Sequence, residues 1–161
     1  VRPTAGTRPI HLVPHPMQAP TRAHATATEI RPFTVLVVFN VASSFARKNP
    51  CAAIRAFRRA FADEDRSVKL IVKYTNADHW PPAEGQLQKA AGNATNIELL
   101  GGGTLDGAAV ADLFESADAI LSLHRAEGLG LVIIEGMLRG LPVVATNWSG
   151  NTDFLTSETG I

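Results

Sequence analysis

From residue 33 onward, short β-branched apolar runs alternate with stretches whose apolar positions recur at helical spacing. Thr34-Val-Leu-Val-Val-Phe39 is a run suited to a strand buried on both faces. A helix over residues 50–62 puts Ala53, Ile54, Phe57 and Phe61 on one face, with Arg55, Arg58 and Arg59 on the other. Pro50 suits its first turn, where a missing N–H costs nothing. A strand follows over 68–74, a weaker helix over 84–91, and a third strand over 96–100, closed by Gly101-Gly102-Gly103. Asp106 can cap a helix bearing Val110, Leu113 and Phe114. Residues 119–123 read as a fourth strand, 129–139 as a helix and 142–146 as a fifth strand, with Gly140 at a left-handed helix terminus. Strands separated by helices of this length require right-handed crossovers. The expected fold is therefore α/β, a Rossmann-like doubly wound parallel sheet, and no internal repeat is visible.

Residues 1–32 break this pattern. They are dense in Pro, Thr, Ala and Arg, with one short strand candidate at 10–13 ending in Pro14-His-Pro16, and they read as a linker and remnant of an interdomain junction. The domain proper is expected over 33–161. A start at Val1 without Met and an end at Ile161, before a last strand and closing helices, lead us to expect a piece of a longer protein, incomplete at its C-terminus.

Composition narrows the picture. The 161 residues suffice for one domain with a sizeable core. Fifteen Lys and Arg balance fifteen Asp and Glu, so no overall electrostatic grip on nucleic acid or an anionic membrane is expected. The apolar runs are too short to span a bilayer, and the polar, Pro-rich start has no apolar signal region. Cys51 is alone, which excludes an internal disulfide framework. His11 and His15 fall in the linker, while His79 and His124 are isolated, so no metal-ligand spacing appears. No Gly-x-Ser-x-Gly elbow exists, and no glycine cluster completes a dinucleotide fingerprint.

The chemistry concentrates at the carboxyl edge of the expected sheet. In Glu127-Gly-Leu-Gly-Leu-Val-Ile-Ile-Glu135 a glycine-bearing turn feeds an apolar helix, so the backbone N–H groups of Leu129, Gly130 and Leu131 can face an anion. Glu135 lies in an otherwise apolar helix, where an unpaired carboxylate is costly and needs donors. Ribose hydroxyls are suitable donors, and an internal Arg is the plain alternative. Glu127 on the turn can accept from sugar hydroxyls, or simply be solvated. The loop Ser43-Ser-Phe-Ala-Arg-Lys-Asn-Pro50 brings Arg47, Lys48 and two hydroxyls to the same edge, fit for phosphate or for an ordinary basic turn. Lys73, at the end of the second strand, can reach a ligand or pair with a neighbouring Asp.

Together these residues resemble the nucleotide-sugar-binding C-terminal domain of retaining glycosyltransferases of family 4, the group-1 enzymes with the GT-B fold. The likeness covers roughly residues 10–161. It rests on Glu127 and Glu135 within Glu-Gly-Leu-Gly, on Gly140-Leu-Pro-Val-Val-Ala-Thr146, Gly150-Asn-Thr-Asp-Phe154, and Arg47-Lys-Asn-Pro50 followed by Ala56-Phe57 and Ala60-Phe61. Pro14-His-Pro16 resembles the stretch where an N-terminal acceptor domain hands over to this one.

The resemblance implies a nucleoside-diphosphate sugar as donor substrate, no cofactor and no metal. Glu127 would contact hydroxyls of the transferred sugar and, with Lys48 at the diphosphate, form the catalytic pair. Glu135 would hold the ribose, and Leu129, Gly130 and Leu131 would meet sugar and diphosphate. Many relatives carry a Gly-Arg pair before the lysine, where this chain has Ala42 and Ser43. Arg47 or Arg125 would then supply the second phosphate cation, or Ser44 a hydrogen bond. His124 and Lys73 complete the candidate substrate contacts. Gly136 stands where Ala is commoner, at a cost of about 1 kcal/mol in helix propensity.

With retention and no visible nucleophile, the route implied is front-face, assisted by the leaving phosphate. The acceptor, a glycan, a lipid or another small molecule, would sit in a separate N-terminal domain. The implied location is the cytoplasm, with the inner membrane surface left open. By itself the 161-residue chain is expected to bind nucleotide weakly and not to catalyse transfer. The rival functions are a GT-B-like nucleotide-sugar epimerase, which needs acid and base groups that are not visible, and a non-catalytic nucleotide-sugar-binding module. An unrelated Rossmann-like binder is a further rival.

Overall fold

The apolar run that begins the alternation becomes β1 (Phe33–Asn40), the central strand of the computed structural model, which describes residues 15–17 and 31–159. Then come α1 (Phe45–Lys48), α2 (Pro50–Ala60), β2 (Val68–Thr75), α3 (Pro82–Ala91), β3 (Ile97–Leu100), α4 (Gly107–Glu115), β4 (Ala119–Ser122), α5 (Leu131–Leu138) and β5 (Val143–Ala145). All strand pairs are parallel, in the order β3-β2-β1-β4-β5. β1 is flanked on both sides, with Val35 opposite Leu70 of β2 and Ala119 of β4. The α/β doubly wound sheet expected from the sequence is present.

The unbroken hydrophobicity of β1 follows from burial on both faces. Val37 and Phe39 pack with Ile54, Phe57 and Leu87 beneath α2 and α3, whereas Leu36 packs with Phe114, Ile133 and Val143 beneath α4 and α5. Leu36, Ile54, Leu70, Leu87, Ile120 and Ile133 are fully buried, each contributing roughly 1.5–3 kcal/mol of transfer free energy. Gly136 is where α5 touches the sheet. A Cβ there would come 2.6 Å from Ile120 Cγ1, so the residue that costs helix propensity admits the strand. Asp106 caps α4 through a 2.8 Å bond from the Ala109 N–H, and Gly140 turns left-handed (φ 72) after α5.

Local expectations change beside the carboxyl edge of the sheet. The segment after β1 is not a plain loop: α1 is a single turn, ended by Asn49 in the left-handed region (φ 53) before Pro50 starts α2. The helix expected at 129–139 spans Leu131–Leu138, because Gly130 (φ 83) is its N-cap and leaves Leu129 in the turn. The strand candidate at 10–13 and most of the expected linker lie outside the described residues. Among the described residues no helix is long and apolar enough to cross a membrane.

Candidate functional site

β1 and β4 are neighbours, but the chain leaves β1 for the α2 face of the sheet and β4 for the α5 face. Such a divergence opens a crevice at the carboxyl ends of the two strands. Here it is a cleft of about 340 Å³ whose lining includes Asn40, Ser43, Lys48, Glu127, Leu129 and Leu131. Gly130 also lines it, so all three turn residues expected to offer backbone donors are at the cleft. The first intrahelical bond of α5 runs from Ile134 N–H to Gly130 O (3.0 Å), so the N–H groups of Leu131, Val132 and Ile133 have no acceptor inside the helix.

The left-handed Asn49 aims the preceding turn at this cleft. Its Nδ2 donates to Leu123 O at 2.9 Å, tying α1 to the end of β4. Lys48 Nζ then donates to Glu127 Oε2 at 2.5 Å, while Arg47 Nη1 stands 3.5 Å from the same oxygen. The Glu127 side chain is 11% exposed. Burial by itself would raise its carboxyl, but the Lys48 hydrogen bond and the charges of Lys48, Arg47 and His124 outweigh this and hold it below the usual carboxylate range.

Arg47 is engaged mainly with backbone. Its Nε and Nη2 donate to Ser43 O (3.1 and 2.9 Å) and its Nη1 to Ala126 O (2.8 Å), so it staples the two loops together. Ser44, at φ 79, accepts a long bond from the Arg47 N–H (3.4 Å). Arg125 is exposed and is fixed by its backbone N–H, which donates to Arg47 O at 2.8 Å.

The turn bearing Glu127 is gripped by the segment after β5, whose residues 150–154 carry part of the resemblance but were assigned no contact from the sequence. Ser149 Oγ accepts from the Glu127 N–H (3.1 Å) and donates to Glu127 O (2.7 Å). Ser149 lies at φ 80, ψ −158, a region essentially reserved for glycine that costs about 1–3 kcal/mol otherwise. The Gly150 N–H also donates to Glu127 O (2.9 Å), and a Cβ at Gly150 would stand 1.7 Å from Gly128 O. Asn151 is fully buried; its Nδ2 donates to Thr146 O (3.0 Å), and its Oδ1 is 2.9 Å from His124 Nε2. A Ser-Gly-Asn cluster after an apolar run signals a turn, but its partner 22 residues earlier leaves no local mark.

Three expected contacts are placed away from the cleft lining. His124 is buried, with Nδ1 3.0 Å from Ser122 Oγ and Nε2 near Asn151 Oδ1 and Trp148 O, so both ring nitrogens face protein partners. Lys73 is also buried; its Nζ donates to Gly101 O (3.0 Å) and Gly103 O (3.4 Å) rather than to an Asp, and braces the glycine loop after β3. Glu135 pairs with Arg139 one helical turn on, through Nε (3.1 Å) and Nη2 (2.8 Å), both on Oε1. Arg139 is held in turn over the Phe114 ring at 5.3 Å. The internal-arginine alternative therefore describes Glu135 here. Among the described residues no group of three or more His, Cys, Asp or Glu could hold a metal ion.

A family model described as family 4 glycosyltransferases in conflict systems matches residues 1–160. The chain belongs to that family. No curated protein matches it. Solved structures share its fold at low identity. One is a lipopolysaccharide outer core galactosyltransferase, WaaB, in its apo form (17% identity, TM-score 0.65, covering 88% of this chain and 38% of that one). Another is HepE from Anabaena in complex with UDP-glucose (22%, 0.58, 78% and 32%). A third is a UDP-forming α,α-trehalose-phosphate synthase from Burkholderia xenovorans (16%, 0.63, 77% and 31%). The chain thus spans less than two fifths of each of these structures.

Proposed function

We propose that this member of the conflict-system family 4 glycosyltransferases binds a nucleoside-diphosphate sugar in the cleft between β1 and β4 and takes part in transfer of its glycosyl group. The observation that carries this reading is the Lys48–Glu127 pair at the cleft, beside the open N-terminus of α5. Lys48 and the α5 N–H groups would bind the diphosphate. As the glycosidic bond breaks, negative charge grows on the leaving phosphate, so donors already aimed there stabilise the transition state more than the ground state. An ammonium has three protons, so Lys48 can keep Glu127 while contacting phosphate. Glu127, held ionised, would accept hydrogen bonds from hydroxyls of the sugar.

The remaining roles follow from the same placement. Both Arg139 bonds fall on Glu135 Oε1, which leaves Oε2 for a ribose hydroxyl. Arg125 is the freer cation for a second phosphate contact, since Arg47 is committed to Ser43 and Ala126 carbonyls. Retention by a front-face route suits a cleft whose carboxylate is already paired with Lys48. The acceptor would be held by a second domain, with residues 1–32 as the connection to it. Calorimetric titration of nucleoside diphosphates and nucleotide sugars tests the reading. Lys48→Met should weaken binding by about 10–100-fold, the range for losing a charge-assisted hydrogen bond. Equal affinities for wild type and variant would sink it.

A further inference from the structure

We propose that Ser149 is a positioning residue, whose hydroxyl fixes the Glu127 turn so that the carboxylate meets the donor sugar. The sugar role rests on the donor reading above; the clamp rests on geometry alone. One hydroxyl is bonded to both backbone polar groups of a single residue, accepting from its N–H at 3.1 Å and donating to its carbonyl at 2.7 Å. Ser149 does this from φ 80, ψ −158, where glycine would sit without strain. A side chain kept at such a backbone position needs a compensating use, and the Glu127 bonds are the ones it makes to that turn.

The surroundings show that the clamp is built into the fold. Gly150 presses against Gly128 with no room for a Cβ, and its N–H reinforces the same Glu127 carbonyl. Buried Asn151 anchors the segment to buried His124, three positions before Glu127. The turn is therefore held at both its ends. Among the described residues the hydroxyl of Ser149 alone accepts from the Glu127 N–H, so it fixes the peptide from which the carboxylate departs toward Lys48.

Two variants separate strain from clamping. Ser149→Gly removes the hydroxyl and relieves the backbone, whereas Ser149→Ala removes the hydroxyl and keeps the strained backbone. The expected result for Ser149→Gly is a Tm at or above wild type. Its Glu127 amide should nevertheless exchange about tenfold faster, and the Glu127 carboxyl, followed by carbon NMR, should titrate closer to an ordinary carboxylate. Ser149→Ala should show the same loosening with a lower Tm. In titrations of the Gly variant with UDP and UDP-glucose, the affinity gained from the glucose should fall about tenfold while UDP itself binds as before. Wild-type exchange and titration of Glu127 in Ser149→Gly would overturn the proposal, as would an equal loss of UDP and UDP-glucose affinity. A wild-type chain that gains nothing from any attached sugar would instead defeat the donor reading, while the exchange and titration results still decide the clamp.

Discussion

Glu127 and Glu135 stand eight positions apart in one motif, yet the fold holds them in opposite ways. Glu127 lies on a turn whose partners come from far along the chain: Lys48 lies 79 residues earlier and Ser149 22 residues later. Glu135 lies on a helix and takes its partner, Arg139, from the next turn of that helix. The first carboxylate is set by tertiary structure and has little freedom to move. The second is set by helix geometry, in a pair that is cheap to rearrange. A carboxylate fixed by distant elements suits orientation of a reacting group, and one in a local pair suits a contact that adjusts on binding.

The strongest way to break this contrast is Gly150→Ala. The new Cβ would fall 1.7 Å from a backbone carbonyl, which cannot swing aside as a side-chain end can. Overpacking of this kind should cost about 3 kcal/mol, read by denaturant unfolding, and should free the Glu127 turn while leaving Glu135 paired. An unfolding midpoint equal to wild type would show that the turn is not gripped there.

A smaller effect, of about 2 kcal/mol at neutral pH, is expected for Lys48→Met, which removes a charge-assisted bond. Its sign with pH is specific. The Glu127 carboxyl is held below its ordinary value of 4.5, so its contribution is complete above that value and is lost as pH falls through the depressed folded value. Asp63 and Asp65 are also depressed, by hydrogen bonds from Arg58 and Ser67 respectively. The variant should therefore lose only part of the acid sensitivity, and the difference between the two stability–pH curves should shrink as pH falls below that ordinary value. Parallel curves across that range would show that Lys48 is not what stabilises the Glu127 anion.

The smallest expected effect is that of Glu135→Ala. Its pair spans one helical turn and is partly exposed, so stability should change by about 0.3–0.5 kcal/mol. Affinity is the sharper measure. The variant should lose about tenfold in affinity for ribonucleoside diphosphates and little for their 2′-deoxy counterparts, about the effect of one charge-assisted hydrogen bond. Equal losses for both would remove the ribose from the account of this residue.

Much of the fold was legible because local pattern and tertiary environment agree. The run at 34–39 demanded burial on both faces and became the central strand. Asp106 and Gly140 marked helix ends through their own chemistry, and Gly136 signalled a close approach that Ile120 supplies. The candidate site was legible in part. Leu129, Gly130 and Leu131, Lys48 and Glu127 do line one cleft. His124 read as an isolated histidine with a substrate role, whereas its ring nitrogens face Ser122 and Asn151, the second of them 27 residues away. Ser149 gave no signal, since a serine in a polar turn is ordinary until its φ and its partner are seen.

By itself, then, the sequence determined the alternation of strands and helices, the caps, and the carboxyl-edge location of the charged residues, because periodicity and turn chemistry act over a few residues. Only the tertiary structure decided that β4 lies against β1, that Asn49 bends Lys48 onto Glu127, and that Ser149 grips the Glu127 backbone. Those contacts join chain positions tens of residues apart, and what sets them is which faces must be buried together.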